Sequence, residues 1–156
     1  MQRFLFGAVA SATLLSAPAH ADWAVSAIKY KNNGAYTAYF SVQVKNKEIC
    51  QGANTTGNGI KAKGSVTIQL DNSDGSISSA FAEECLPRIG NEVWGIAYID
   101  RGMGYGPAAA KKSCRKDGNK FYYHPDGATL VVETRGTTEN ANRCRLVNKG
   151  GVEYVD

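Results

Sequence analysis

An alternating segment in the N-terminal half is the feature that most restricts the fold. From Tyr36 to Lys45 the even positions are apolar and the odd positions are mostly polar. A period of two puts each set on one face of an extended strand, so the pattern predicts a half-buried antiparallel strand. Tyr39 lies on the polar side, where we expect it to be exposed. The chain therefore needs a sheet with one covered face.

Other segments predict further strands of the same kind. Val66–Leu70 repeats the alternation, and Val93–Ile99 is apolar on both faces, which is typical of a central strand. The remaining predicted strands are Trp23–Lys31, Asn119–Tyr123, Ala128–Arg135, Arg143–Val147 and Val152–Val155. The only helical candidate is the weak one at Ser76–Glu84. The sequence predicts an all-β fold, a single-domain antiparallel β-sandwich of about seven or eight strands, with a small β-barrel as the alternative.

Two turn sequences predict hairpins. Asn32-Asn33-Gly34 contains an Asn-Gly pair that favours a type I′ turn, which would join Trp23–Lys31 to the alternating strand. His124-Pro125-Asp126-Gly127 combines proline with a terminal glycine, which favours a tight turn between Asn119–Tyr123 and Ala128–Arg135.

Residues 1–21 have the organisation of a secretory signal peptide. Arg3 precedes an apolar run from Phe4 to Leu15, and the segment ends in Ala19-His20-Ala21. The apolar run is 12 residues long, shorter than the roughly 20 that span a bilayer. We expect cleavage before Asp22, one domain from 22 to 156, a secreted or periplasmic location and no transmembrane segment.

Four cysteines follow, at positions 50, 85, 114 and 144. In an oxidising compartment such thiols pair, so disulfides are predicted for Cys50, Cys85, Cys114 and Cys144. The spacing contains no C-x-x-C motif and offers no support for zinc. Three connectivities are possible. The sequential one, Cys50–Cys85 with Cys114–Cys144, would close two loops of about thirty residues, each contributing about 3 to 4 kcal/mol.

The chain is poor in catalytic side chains. His20 leaves with the signal peptide, so His124 is the one histidine of the mature chain, and it lies in a predicted turn. A two-histidine mechanism is therefore excluded, and no serine lies in a G-x-S-x-G motif. The acidic residues lack the spacing of an EF-hand. The sequence favours a non-enzymatic role without a metal or cofactor, and a hydrolase is the less favoured alternative.

Positive charge is concentrated late in the chain. Without Arg3 there are 17 basic residues against 14 acidic ones, a net charge of +3. Residues 111 to 120 contain five basic residues and one acidic residue, Asp117. A surface of this kind attracts anionic partners, and nearby tyrosines suit recognition of sugars or proteins. The predicted ligand-binding residues are Arg101, Tyr105, Lys111, Lys112, Arg115, Lys116, Lys120 and Tyr122.

These observations predict a secreted or periplasmic binding protein that recognises an anionic surface, a glycan or an extracellular protein. Two other classes share the same features: a membrane-active, toxin-like protein, and an inhibitor or immunity-type partner of another protein. A nucleic-acid ligand is not expected, because a net charge of +3 is small for that class. The oligomeric state is not predicted.

Overall fold

The computed structural model describes residues 22–44, 59–75, 86–100, 110–115, 119–138, 143–148 and 152–153. These residues form two β-sheets, which confirms the β-sandwich. The strands are β1 (Asp22–Gly34), β2 (Ala38–Val44), β3 (Ser65–Gln69), β4 (Val93–Ile99), β5 (Ala110–Ser113), β6 (Lys120–Tyr123), β7 (Ala128–Gly136), β8 (Cys144–Asn148) and β9 (Val152–Glu153). The described ranges hold no membrane-spanning helix, and the predicted helix at Ser76–Glu84 falls outside them.

The long strand β1 organises the larger sheet, sheet A. Its strand order is β3-β1-β7-β8, with β6 and β9 also paired to β1. β3 and β9 run antiparallel to β1, whereas β6 and β7 run parallel to it. The smaller sheet, sheet B, has the antiparallel order β2-β4-β5.

The predicted hairpin at Asn32-Asn33-Gly34 is wrong, because β1 continues through Gly34 and β2 belongs to the other sheet. Neither Asn33 nor Gly34 has the positive φ of a type I′ turn. Asn32 is buried, and its amide Nδ2 donates to the carbonyl oxygens of Tyr36 at 2.6 Å and Ile60 at 2.8 Å. These bonds fix a crossing from sheet A to sheet B.

The second predicted hairpin is also wrong. β6 and β7 follow each other in the same direction along β1, and Val25 pairs with both Tyr123 and Ala128. The four residues between them form a turn, closed by a bond from the Gly127 amide to the His124 carbonyl at 2.9 Å. A side chain at Gly127 would overlap the backbone of Val25. A turn does form at the predicted residues. It does not reverse the chain, because β6 before it and β7 after it both run parallel to β1.

The core lies between the sheets. Tyr30 of sheet A stacks on Phe40 of sheet B, with ring centroids 4.6 Å apart and planes 8° from parallel. The Tyr30 hydroxyl shares a hydrogen bond with Thr134 Oγ1 at 2.6 Å. Burial raises the pKa of Tyr30 far above its usual value, although the bond to Thr134 lowers it in part. Gly95 lies against the Phe40 ring, where an added methyl group would overlap it.

A disulfide joins the edges of the two sheets. Cys114 directly follows β5, the edge strand of sheet B, and Cys144 begins β8, the edge strand of sheet A. Both residues are buried, with their Cα atoms 4.8 Å apart. The predicted Cys114–Cys144 pairing is confirmed, whereas Cys50 and Cys85 lie outside the described residues.

Candidate functional site

The outer face of sheet B collects the side chains that point away from the core. Because successive residues of a strand face opposite sides, this face carries every second residue of β2, β4 and β5. We call it the aromatic face, and it consists of Tyr39, Ser41, Gln43, Trp94, Ile96, Tyr98, Lys111 and Ser113. Tyr39 lies opposite Tyr98, which lies opposite Lys111, so two aromatic rings and a cation form one row across the sheet.

Much of the aromatic face is buried. Tyr39, Ile96 and Tyr98 form a second hydrophobic cluster, and Trp94 packs against it. All seven residues of β2 are buried, so the predicted exposure of Tyr39 is wrong. The physical reason lies across the sheet, because the neighbours of this nominally polar side are Tyr98 and Ile96. These side chains pack against one another, and Gly59 lies beside the Tyr39 ring, so the Tyr39 ring is shielded from water.

Arg115 stands at the margin of the aromatic face. Its guanidinium carbon lies 5.0 Å from the centre of the Trp94 ring, a cation–π distance. Its Nη2 lies 2.6 Å from Oε1 of Glu92, whose side chain is 6% exposed while that of Arg115 is 46% exposed. The contact is an ion pair without the alignment of a hydrogen bond. The guanidinium is thus held by a ring and a carboxylate and still reaches solvent.

We call Arg115, Glu92 and Tyr122 the margin of the aromatic face, and Tyr122 belongs to β6 of sheet A. It forms an isolated antiparallel bridge with Glu92, and directly opposite residues share a face. Tyr122 is half-buried whereas Tyr123 is buried. This confirms that one tyrosine of the pair points away from the core. Lys120, two residues earlier on β6, is exposed on the same side as Tyr122.

The structure brings part of the predicted ligand-binding set together. Lys111, Arg115, Lys120 and Tyr122 border the aromatic face or its margin. Lys112 pairs with Ala97 and lies on the opposite side of β5. Arg101, Tyr105 and Lys116 lie outside the described residues.

Sequence reasoning missed four residues of this region. It assigned Trp94 to a fully apolar strand and gave no role to Glu92, Ser41 or Gln43. Ser41 Oγ and Gln43 Nε2 are buried and have no hydrogen-bond partner among the residues that the structure describes. The sequence carried no signal for Ser41 and Gln43, because alternation on a half-buried strand places such polar residues on the exposed face.

Within the described ranges, the polar contacts of the His124 side chain are local, whereas its backbone amide donates to the carbonyl oxygen of Val25 at 3.1 Å. Its Nδ1 accepts a hydrogen bond from the Asp126 amide at 3.2 Å, and the exposed Asp126 carboxylate lies 3.8 Å from the same nitrogen. In the part of the chain that is described, no three histidine, cysteine, aspartate or glutamate residues are grouped to hold a metal ion.

No family model matches the chain, and no curated protein matches it. Among solved structures it is similar to a disulfide-locked mutant of intermedilysin with human CD59, at 14% identity and a TM-score of 0.39, covering 80% of this chain and 24% of that one. Pneumolysin matches at 10% identity and a TM-score of 0.34, over 84% of this chain and 23% of that one. The chain thus spans about a quarter of the length of these proteins. Similarity this low assigns no function.

Proposed function

We propose that the chain is a non-enzymatic binding protein that recognises an acidic glycan through the margin of the aromatic face. The observation that carries this proposal is the half-exposed guanidinium of Arg115, held against Trp94 and Glu92. Tyr122 is bridged to Glu92 beside it, and Lys111 lies on the same outer face of sheet B, four residues earlier in the chain. We further propose that the protein acts outside the cytoplasm, after cleavage of the signal peptide before Asp22. The Cys114–Cys144 disulfide supports an oxidising compartment.

The chemistry of these groups suits a saccharide with a carboxylate or sulfate. A guanidinium donates paired hydrogen bonds to planar anionic groups. Because Arg115 is already oriented by two contacts, less conformational entropy is lost when a ligand binds. Tyr122 offers an apolar ring surface with a polar end, which matches the two kinds of surface on a sugar.

Two buried polar groups lie on the same face as Trp94. Gln43 lies directly opposite Trp94 in the sheet, and Ser41 lies two residues earlier on β2. Their unpaired polar atoms carry the cost of desolvation, about 1 to 3 kcal/mol each. An ordered water bound to them would recover part of that cost.

The experiment is a titration of the mature, oxidised protein with uronic-acid oligosaccharides and their neutral counterparts. Replacing Lys111 and Lys120 with Gln should weaken binding of the acidic series about tenfold, because two cations near the ligand are lost. Arg115→Lys keeps the positive charge but removes the planar guanidinium and its paired hydrogen-bond donors, so it should also weaken binding. Lys61→Gln/Lys63→Gln removes two charges from exposed positions in the turn before β3 and is the matched control.

Two results would overturn the proposal. One is a wild-type protein that binds neither saccharide series. The other is a Lys111→Gln/Lys120→Gln variant that binds as well as the control. Equal binding of acidic and neutral saccharides would retain a glycan site but remove its charge selectivity.

A further inference from the structure

The outer face of sheet A carries a second group of charges, separate from the proposed glycan site. Lys29, Lys31 and Asn33 of β1 lie opposite Val131, Glu133 and Arg135 of β7, and Arg145 of β8 lies opposite Glu133. All of them point away from the core, because Ile28, Tyr30 and Asn32 occupy the inner positions of β1. We call Lys29, Lys31, Glu133, Arg135 and Arg145 the ionic face.

Glu133 is the centre of the ionic face, and its side chain is 5% exposed. Its Oε2 accepts a hydrogen bond from Asn33 Nδ2 at 2.6 Å. Its Oε1 accepts one from Arg145 Nε at 2.6 Å and lies 2.7 Å from Arg135 Nε. One carboxylate therefore orients two arginine side chains on the outer face of the sheet.

The carboxylate cannot neutralise the charge around it. Four cations surround one anion, so the ionic face has a formal charge of +3 (four minus one). The side chains of Arg135 and Arg145 remain 59% and 48% exposed. Their unused N–H groups are therefore available to an anion in solvent.

Glu133 keeps its negative charge at neutral pH. Burial raises the pKa of its carboxyl group, but hydrogen bonds from Arg145, Asn33 and Arg135 outweigh burial and bring that pKa below its usual value. The fixed geometry of the two arginines is therefore maintained under the conditions in which a ligand would bind.

We propose that the ionic face binds an extended acidic polysaccharide that carries sulfate or carboxylate groups. Lys29 and Lys31 are spaced by about 6 to 7 Å along β1, and neighbouring strands lie about 5 Å apart. The cations thus lie on three neighbouring strands, β1, β7 and β8, and this spread fits repeated charges along a chain better than a single small anion. Preorganised arginines lose little entropy on binding.

The composition of the face favours a polysaccharide over a membrane. A protein that inserts into a bilayer presents apolar side chains to it. The apolar residues beside the charges are half-buried Val131 and exposed Val147, whereas the β3 border carries Ser65, Thr67 and Gln69. These polar side chains suit hydrogen bonding to saccharide hydroxyls.

The test is a titration of the mature protein with heparin, as a sulfated polysaccharide, and with polygalacturonate, as a carboxylated one. Lys29→Gln/Lys31→Gln should weaken heparin binding about thirtyfold, since each lysine near an anionic surface contributes about fivefold. The residual affinity should also depend less steeply on salt. Arg145→Lys keeps the positive charge but removes the guanidinium that Glu133 orients. We expect this variant to bind heparin a few-fold more weakly.

Lys61→Gln/Arg88→Gln is the matched control, because it removes the same two charges from exposed positions that belong to neither face. The proposal is overturned if the lysine variant and this control bind heparin equally. It is also overturned if the protein prefers phosphatidylserine vesicles to both polysaccharides. The glycan site is changed by different variants, at Lys111 of sheet B and at Lys120 beside the start of β1, so failure of one proposal is distinguishable from failure of the other.

Discussion

The two outer faces of the sandwich differ although both arise from alternating strands. On sheet A the outward positions of β1 and β7 hold Lys31, Glu133 and Arg135, which meet water or one another. On sheet B the outward positions of β2 and β4 hold Tyr39 and Tyr98, which are buried. Alternation therefore tells which residues share a face, whereas the groups packed against that face decide whether it is exposed to water.

Removing the disulfide that joins the two sheets should have the largest effect on the stability of both faces. Cys114→Ala/Cys144→Ala should lower the free energy of unfolding by about 3 to 4 kcal/mol, since the disulfide closes a loop of about thirty residues. Chemical denaturation of the two proteins measures the difference. Thr129→Ala, on the exposed side of β7, is a control that should stay within about 0.5 kcal/mol. A cysteine variant as stable as this control would contradict the prediction.

Overfilling the shared core should have the next largest effect. Gly95→Ala places a methyl group against the Phe40 ring and should cost about 1 to 3 kcal/mol. Adding Phe40→Leu to Gly95→Ala should cost less than the sum of the two single changes, because the smaller side chain makes room. Strict additivity in denaturation experiments would show that the overlap at Phe40 is not the cause.

Most strands were predictable from the sequence, because periodicity and turn residues are local signals. Val93–Ile99 matches β4 residue for residue. The strand β5 was missed, since Ala110–Ser113 carries two lysines and owes its place to pairing with β4. The path of the chain was not predictable at either turn. Whether a turn reverses the chain depends on distant partners, such as Val25 beneath Gly127.

The candidate site was predictable only in part for the same reason. Clustering of lysines along the chain indicated Lys111 and Arg115, which do border one face. The partners of Arg115, namely Glu92 and Trp94, come from a different segment. The ionic face gave no local signal at all, because its cations are dispersed over β1, β7 and β8.

The charge network of the ionic face should be visible as pH-dependent stability. Because the folded-state pKa of Glu133 is lowered, its ionised form stabilises the protein above the usual value of 4.5, and this contribution is lost as pH falls through the lower folded-state pKa. Glu133→Gln should cost about 1 to 2 kcal/mol at pH 7. The two proteins should converge in stability below pH 4.5. Denaturation curves at stepped pH measure this, and a constant difference would exclude ionisation as the cause.

The smallest effect should distinguish the margin of the aromatic face from the ionic face. A double-mutant cycle with Arg115→Met and Trp94→Leu should give a coupling of about 0.5 to 1 kcal/mol, as expected for a partly exposed cation–π pair. Arg115→Met alone should cost more than the coupling, because it also leaves Glu92 buried without its ion-pair partner. A parallel cycle with Trp94→Leu and Arg145→Met, which lie on different sheets, should show none. Equal coupling in both cycles would mean that the contact between Arg115 and the Trp94 ring contributes no specific stability. The proposed glycan site would then depend only on the charge of Arg115.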